Sequence, residues 1–246
     1  MAFCDEKYFT SSLTATFRAS GLQSLLTRER TELFYRLCEH MLTVNESFNL
    51  TAITEPHKII LHHLADCAAL ARELPQGKRV IDVGCGGGFP TLPLAILRPD
   101  LSILAIDSTA KKVTYVAETA SLLGLKNVET QAVRAEDLSK RPEMREQFDI
   151  ATARAVAELR ILAELCLPFV KVGGQMVAMK GKNAQFELTA AKRAVATLGA
   201  RLGEVKEITL TNGDEVLSHP LIFIAKSAKT PSAYPRPYAQ IQKKPL

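Results

Sequence analysis

From residue 78 onward, short runs of β-branched and aliphatic residues alternate with longer segments whose apolar positions recur every three or four residues. The short runs fall at 79–83, 102–107, 128–133, 148–153, 175–179, 205–210 and 221–225. Helical periodicity falls between them, over 91–97, 111–123, 158–170 and 184–198, with the third of these helices ending ahead of Gly173-Gly174. Such alternation predicts an α/β fold, a doubly wound and mostly parallel sheet of seven strands with helices on both faces. Leu221-Ile222-Phe223-Ile224 shows no polar alternation, which fits a strand buried on both sides. The last two strands are expected to pair antiparallel.

The first 75 residues follow a different period. Leu33, Phe34, Leu37, Met41 and Leu42, and later Ile60, Leu61, Leu64 and Ala68, recur at helical spacing around a polar loop at 45–51. Pro75-Gln76-Gly77 marks the border. The chain therefore divides into an N-terminal helical segment (1–75), an α/β domain (76–226) and a tail (227–246).

Charge separates the tail from the rest. Five of the 31 basic residues and none of the 26 acidic ones lie in 226–246, so this segment carries the whole formal excess of +5. With Pro231, Pro235, Pro237, Tyr234 and Tyr238 it reads either as a contact for a phosphate backbone or as a solvated terminus. The five cysteines are widely spaced with no CxxC, which points to reduced cytoplasmic thiols and away from a disulfide frame or a structural zinc. No metal is expected. No apolar run approaches the ~20 residues of a membrane span, and the N-terminus lacks the pattern of a signal peptide.

The candidate chemistry lies at the end of the first strand, in Asp82-Val83-Gly84-Cys85-Gly86-Gly87-Gly88-Phe89-Pro90. A glycine loop between a strand and a helix brings backbone N–H groups close to a ligand. Asp107, at the tip of the second strand, is placed to accept from ribose hydroxyls. The loop departs from a dinucleotide fingerprint, because Phe89 stands where the last glycine belongs, and it has no Lys-Ser or Lys-Thr for a P-loop. The pattern that remains is DxGxGxG, which resembles the loop of S-adenosylmethionine-dependent methyltransferases of class I, with their Rossmann-like sheet.

The likeness extends further. Asn49-Leu50-Thr51, His63 to Asp66, Gly88-Phe89-Pro90, Asp107-Ser108, Arg134-Ala135-Glu136, Thr152-Ala153-Arg154-Ala155-Val156, Ala178-Met179-Lys180 and Tyr234-Pro235-Arg236 together resemble the bacterial 16S ribosomal RNA guanine-N7 methyltransferases, the glucose-inhibited division protein B family. The chain departs from that family at Thr91, where glycine is frequent, at Cys67, where serine is usual, and in lacking a Gly-x-Pro after Tyr-Pro-Arg.

The resemblance implies methyl transfer from S-adenosylmethionine to N7 of a guanine in 16S ribosomal RNA or the small ribosomal subunit. It implies cofactor contacts from Gly84, Gly86, Gly88, Phe89, Asp107, Ser108, Thr109, Ala135, Glu136 and Arg154. Arg154, His63 and Asp66 are the catalytic candidates. Lys180, Lys182, Tyr234, Arg236, Lys243 and Lys244 are the candidates for RNA contact, with Tyr234 and Tyr238 as possible stacking platforms. Because N7 has an in-plane lone pair, no general base or cysteine nucleophile is required, and Cys166 reads as core. A monomer is expected. The rival readings are a small-molecule methyltransferase on the same fold and a non-catalytic nucleotide-binding regulator.

Overall fold

The structure is a computed structural model that describes residues 4–154, 157–181 and 183–246. Seven strands form one sheet: β1 (Arg79–Val83), β2 (Ser102–Asp107), β3 (Val128–Ala132), β4 (Phe148–Arg154), β5 (Val170–Met179), β6 (Ala200–Thr211) and β7 (Val216–Lys226). Their order is β3-β2-β1-β4-β5-β7-β6. All neighbours are parallel except β7, which runs antiparallel to both β5 and β6.

Alternation along each strand sorts the side chains into two layers. Val80, Ile103, Ala105, Ile150 and Val177 enter one core. Ile81, Val83, Leu104, Ile106, Ala151, Ala153, Met176 and Ala178 enter the other. The first layer is covered by α1 (Glu6–Ala19), α2 (Arg28–Asn45), α4 (Asp66–Glu73), α5 (Thr91–Leu97) and α6 (Ala110–Leu122). The second is covered by α7 (Ala135–Leu138), α8 (Leu159–Cys166), α9 (Ala184–Thr197) and α10 (Tyr238–Lys243). Asp5 caps α1 by accepting from Tyr8 N–H, and Thr27 caps α2 by accepting from Arg30 N–H, each cap contributing about 1 kcal/mol.

Three sequence boundaries move. The N-terminal helices are not a separate unit, since Phe9, Leu13, Phe34 and Met41 belong to the same core as Val80 and Ile103. The helix expected over 158–170 stops at Cys166, because Pro168 lacks the N–H that a continuing helix needs. Strand β5 then begins at Val170 and passes through Gly173-Gly174, where a Cβ on Gly174 would lie 2.4 Å from the Asp149 carbonyl.

The tail is packed, not free. Ile241 is fully buried, and the Arg145 guanidinium donates to the carbonyls of Thr230, Pro231 and Tyr234. Between α3 (Pro56–Ile59) and α4 the helix widens into a π-helical stretch, Ile60–Ala65, which carries His62 and His63. Such bulges are frequent at functional sites. No helix among the described residues is long and apolar enough to cross a membrane.

Candidate functional site

The sheet reverses its winding between β1 and β4, and ligands bind at the carboxyl edge of that junction. The glycine loop leaves β1 there. Gly84 and Cys85 N–H both donate to the Ile106 carbonyl, which pins the loop to β2. Asp107 completes the turn: Oδ2 accepts from Gly86 N–H at 3.1 Å, and Oδ1 accepts from Thr109 N–H at 2.8 Å. Its carboxylate thus shapes the loop while facing the cavity.

The glycines do different work. Gly86 has φ +54° and a Cβ there would meet only the Gly84 carbonyl, at 3.9 Å. It would project into the open cavity. Gly88 has φ +84°, and a Cβ there would lie 2.5 Å from Leu92 Cδ1, so this residue is required by packing of the loop on α5.

Asp82, at the end of β1, is fully buried and accepts from the Thr91 hydroxyl at 2.6 Å. Burial raises its carboxyl pKa to about 6, against the hydrogen bond from Thr91. Thr91 therefore has a structural partner.

Arg154, at the end of β4, gathers the other candidates. Nη1 donates to the His62 carbonyl at 2.9 Å and to Asp66 Oδ2 at 3.1 Å, and Nη2 lies 3.2 Å from His63 Nδ1. Its Cζ stands 5.4 Å from the Phe89 ring centroid. His63 stacks on the same Phe89, with centroids 4.5 Å apart and planes 21° from parallel. Burial, helped by the Arg154 cation, lowers the His63 pKa to about 3, so the ring is neutral at physiological pH. Nδ1 lies 3.2 Å from both the Arg154 guanidinium and the His62 carbonyl, and Nε2 lies 3.0 Å from Thr51 Oγ1, so both ring nitrogens are engaged. This cluster forms a polar wall beside the glycine loop.

Two adjoining cavities share Gly84, Asp107 and Ser108. One, of about 440 Å³, is lined by Thr51, His63, Phe89, Lys112 and Arg154 together with the glycine loop. The other, of about 180 Å³, is lined by Arg134, Ala135, Glu136, Leu165 and Tyr238. Glu136 stands in the first turn of α7 with only 6% of its surface exposed. The donor set fits an adenosine with a charged extension. It has an acid where the cavities join, an acid and backbone in the smaller cavity, and an open glycine cradle in the larger one. Among the described residues no cluster could hold a metal ion.

The residues assigned to the cofactor by resemblance meet around these two cavities: Gly84, Gly86, Phe89, Asp107, Ser108, Thr109, Ala135, Glu136 and Arg154 line them, and Gly88 supports them from behind. His63 and Asp66 meet at Arg154, and neither acts as a simple helix-surface pair. Cys166 is buried core, its thiol pKa pushed up by burial.

Several residues expected at RNA are placed differently. Lys180 Nζ is buried against Glu187 at 2.7 Å and donates to the Ala157 carbonyl, so it has no free face for a phosphate. Arg236 makes a two-pronged pair with Glu164, which has no solvent exposure. Tyr234 packs beside that guanidinium, 5.9 Å from its Cζ, and Tyr238 lines the smaller cavity. Lys226 is buried against Glu146 and the Leu167 carbonyl. Lys243 and Lys244 remain exposed, and Lys182 lies outside the described residues. The tail's charge is therefore partly spent on anchoring the tail itself.

Thr51, Lys112 and His219 are site residues that the sequence reading does not assign, and Tyr238, expected as a stacking platform, lines the smaller cavity. Thr51 had a signal, in Asn49-Leu50-Thr51. His219 had none, since it reaches Asp66 from a strand 153 residues away in the chain.

Comparison with known proteins agrees with this geometry. Residues 30–215 match the GidB family, described as rRNA small subunit methyltransferase G. The chain is 46% identical over 204 residues to ribosomal RNA small subunit methyltransferase G of Clostridium perfringens (strain 13 / Type A), covering 82% of this chain and 84% of the relative. It is 42% identical over 222 residues to the protein of the same name from Desulfitobacterium hafniense (strain Y51), covering 90% and 91%. Solved structures share the fold. M. jannaschii TYW2 in complex with AdoMet superposes with a TM-score of 0.54 at 17% identity, covering 67% of this chain and 76% of that one. Geranyl diphosphate methyltransferase in complex with SAM gives 0.52 at 16% identity, covering 70% and 87%. With the family match spanning most of its length, the chain belongs to the GidB family, the rRNA small subunit methyltransferases G, which use S-adenosylmethionine.

Proposed function

We propose that this protein methylates N7 of a guanine in 16S ribosomal RNA, by direct in-line transfer and without a general base. When bound, S-adenosylmethionine supplies an electrophilic methyl group. The chain's own residues supply alignment. Asp107 stands where the two cavities join and Glu136 lines the smaller one, so a nucleoside can lie across both acids. The Gly84–Gly88 turn leaves the central path free of side chains. Phe89, stacked under His63 and flanked by Arg154, forms a flat wall against which a purine can lie.

Chemistry at N7 suits this wall. The nitrogen attacks through an in-plane lone pair, so no proton has to be removed first. A neutral His63 engaged at both nitrogens, and an Asp66 engaged by Arg154, are poor bases, and the reaction does not need one. Orientation of nucleophile and methyl then supplies most of the acceleration. N7 must meet the methyl in line, so the base enters unstacked from a loop or a flipped strand.

The observation that carries this reading is the convergence of Phe89, His63 and Arg154 beside Asp107 in one crevice of a chain that belongs to the GidB family. The test incubates the protein with labelled S-adenosylmethionine and small-subunit particles or naked RNA, then maps N7-methylguanine. A single labelled guanine is expected. Label at an exocyclic or ribose position, or only on a small molecule, would replace this reading.

A further inference from the structure

Asp66 stands between two nitrogen bases. Its Oδ2 accepts from Arg154 at 3.1 Å, and its Oδ1 lies 2.7 Å from His219 Nε2. The side chains of Asp66 and His219 are 9% and 8% exposed, and that of Arg154 is 17% exposed. His219 comes from β7 and Arg154 from β4, so one carboxylate at the start of α4 ties two strands separated by β5. Among the described residues Asp66 Oδ1 and His219 Nε2 are both buried with no other polar partner, so the 2.7 Å contact between them, an ion pair when the ring is protonated, is what restrains that carboxylate oxygen.

We propose that His219 is a positioning residue for methyl transfer: through Asp66 it fixes the Arg154 guanidinium against Phe89, where the reacting purine is aligned. This rests on the proposed methylation only for its kinetic consequence. The bonding itself is a property of the folded chain.

The ring's surroundings favour its charged form. Burial lowers the His219 pKa, but the Asp66 carboxylate and the Pro220 carbonyl outweigh it and the net shift is upward, with the Arg154 cation opposing. The other groups nearby are accounted for. His63 is held neutral, His62 Nε2 lies 2.9 Å from Glu215, and Lys180 is committed to Glu187 while its backbone N–H donates to the Pro220 carbonyl. A neutral His219 holds Asp66 less strongly, because the ion pair is lost with the ring's charge. Arg154 loses part of its restraint when that proton leaves.

The experiment uses the full chain and four variants, His219→Arg, His219→Gln, His62→Gln and Asp66→Asn. Turnover on small-subunit particles is measured from pH 6 to 9 at saturating S-adenosylmethionine, beside NMR titration of the histidine rings and the Arg154 side-chain N–H. Wild-type kcat is expected to fall at least threefold as pH rises past the His219 midpoint, with KM for the cofactor changing less than twofold. His219→Arg keeps a permanent cation and flattens the profile, and His219→Gln is slow and flat. The Arg154 resonance shifts with the His219 midpoint, and both the shift and the raised midpoint disappear in Asp66→Asn. A wild-type profile retained in His219→Gln, or one abolished in His62→Gln instead, would overturn the assignment. So would an Arg154 resonance blind to His219. If the wild type methylates no RNA, the proposed function fails, and the Arg154 titration alone still decides whether His219 positions it.

Discussion

Asp107 Oδ2 accepts from the N–H of Gly86, 21 residues earlier in the chain, at 3.1 Å. The acid at the tip of β2 therefore builds the glycine turn of β1 as well as facing the cavity beside it. Replacing it with asparagine removes one acceptor and the charge. Since a hydrogen bond to a charged group contributes about 1.5–3 kcal/mol, Asp107→Asn is expected to weaken S-adenosylmethionine binding by roughly tenfold or more. Isothermal titration checks this, and unchanged affinity would remove Asp107 from the ribose position.

Gly86 and Gly88 make a paired test, because one faces space and the other faces Leu92. Gly88→Ala forces both a left-handed φ and a collision, so it is expected to cost about 2–4 kcal/mol of stability. Gly86→Ala meets only the φ penalty, about 1–2 kcal/mol, while its methyl group enters the cavity and blocks the ligand. Melting temperature should separate the first variant from wild type more than the second, and cofactor titration should show binding abolished in the second.

The tail offers a contrast between anchoring and exposed charge. Arg236→Ala leaves Glu164 buried without its partner, a change of about 3 kcal/mol, and loosens the segment that brings Tyr238 to the cavity. A lower melting point together with weaker cofactor binding is expected. Lys243→Gln with Lys244→Gln should leave stability within about 0.5 kcal/mol and lower the salt dependence of RNA binding, which a filter-binding series reads out.

Two histidines give stability opposite pH dependences. His63, held near 3, resists a proton that the unfolded chain accepts at about 6.5. Its contribution is complete above that value and is lost as pH falls, by about 2 kcal/mol at pH 5. His219 is shifted the other way, so its contribution is complete below about 6.5 and is lost as pH rises through its folded pKa. Asp82, raised to about 6, stabilises the fold in acid and partly offsets His63 there. Chemical denaturation from pH 5 to 9 should show the acid slope reduced in His63→Asn and the alkaline slope reduced in His219→Gln.

Much of the architecture was readable before any coordinates. The seven apolar runs each became a strand: the central ones are continuous because they are buried on both faces, while β3 and β6 at the sheet edges are partly exposed. The glycine turn and Asp107 were readable because their chemistry is local: a positive φ and a strand-tip acid 21 residues apart belong to one βαβ unit. The helix expected over 158–170 was drawn too long, because its apolar period runs on through Pro168 while the missing N–H ends it.

The charged residues behaved differently. Lys180, Arg236 and Lys226 look alike on paper to Lys243 and Lys244, yet Glu187, Glu164 and Glu146 take up the first three and leave the last two in water. Which cation is neutralised depends on a partner 7 to 80 positions away, and composition contains no such distances. The layering of the sheet and the place of the glycine-lined cleft follow from local pattern and the chemistry of short motifs. The joining of His63, Asp66, Arg154 and His219 into one wall, and the packing of a basic tail by buried ion pairs, required the chain to fold. Contacts between distant segments are set by the packing of β4, β7 and the π-helical stretch around a common core, and no spacing along the chain encodes them.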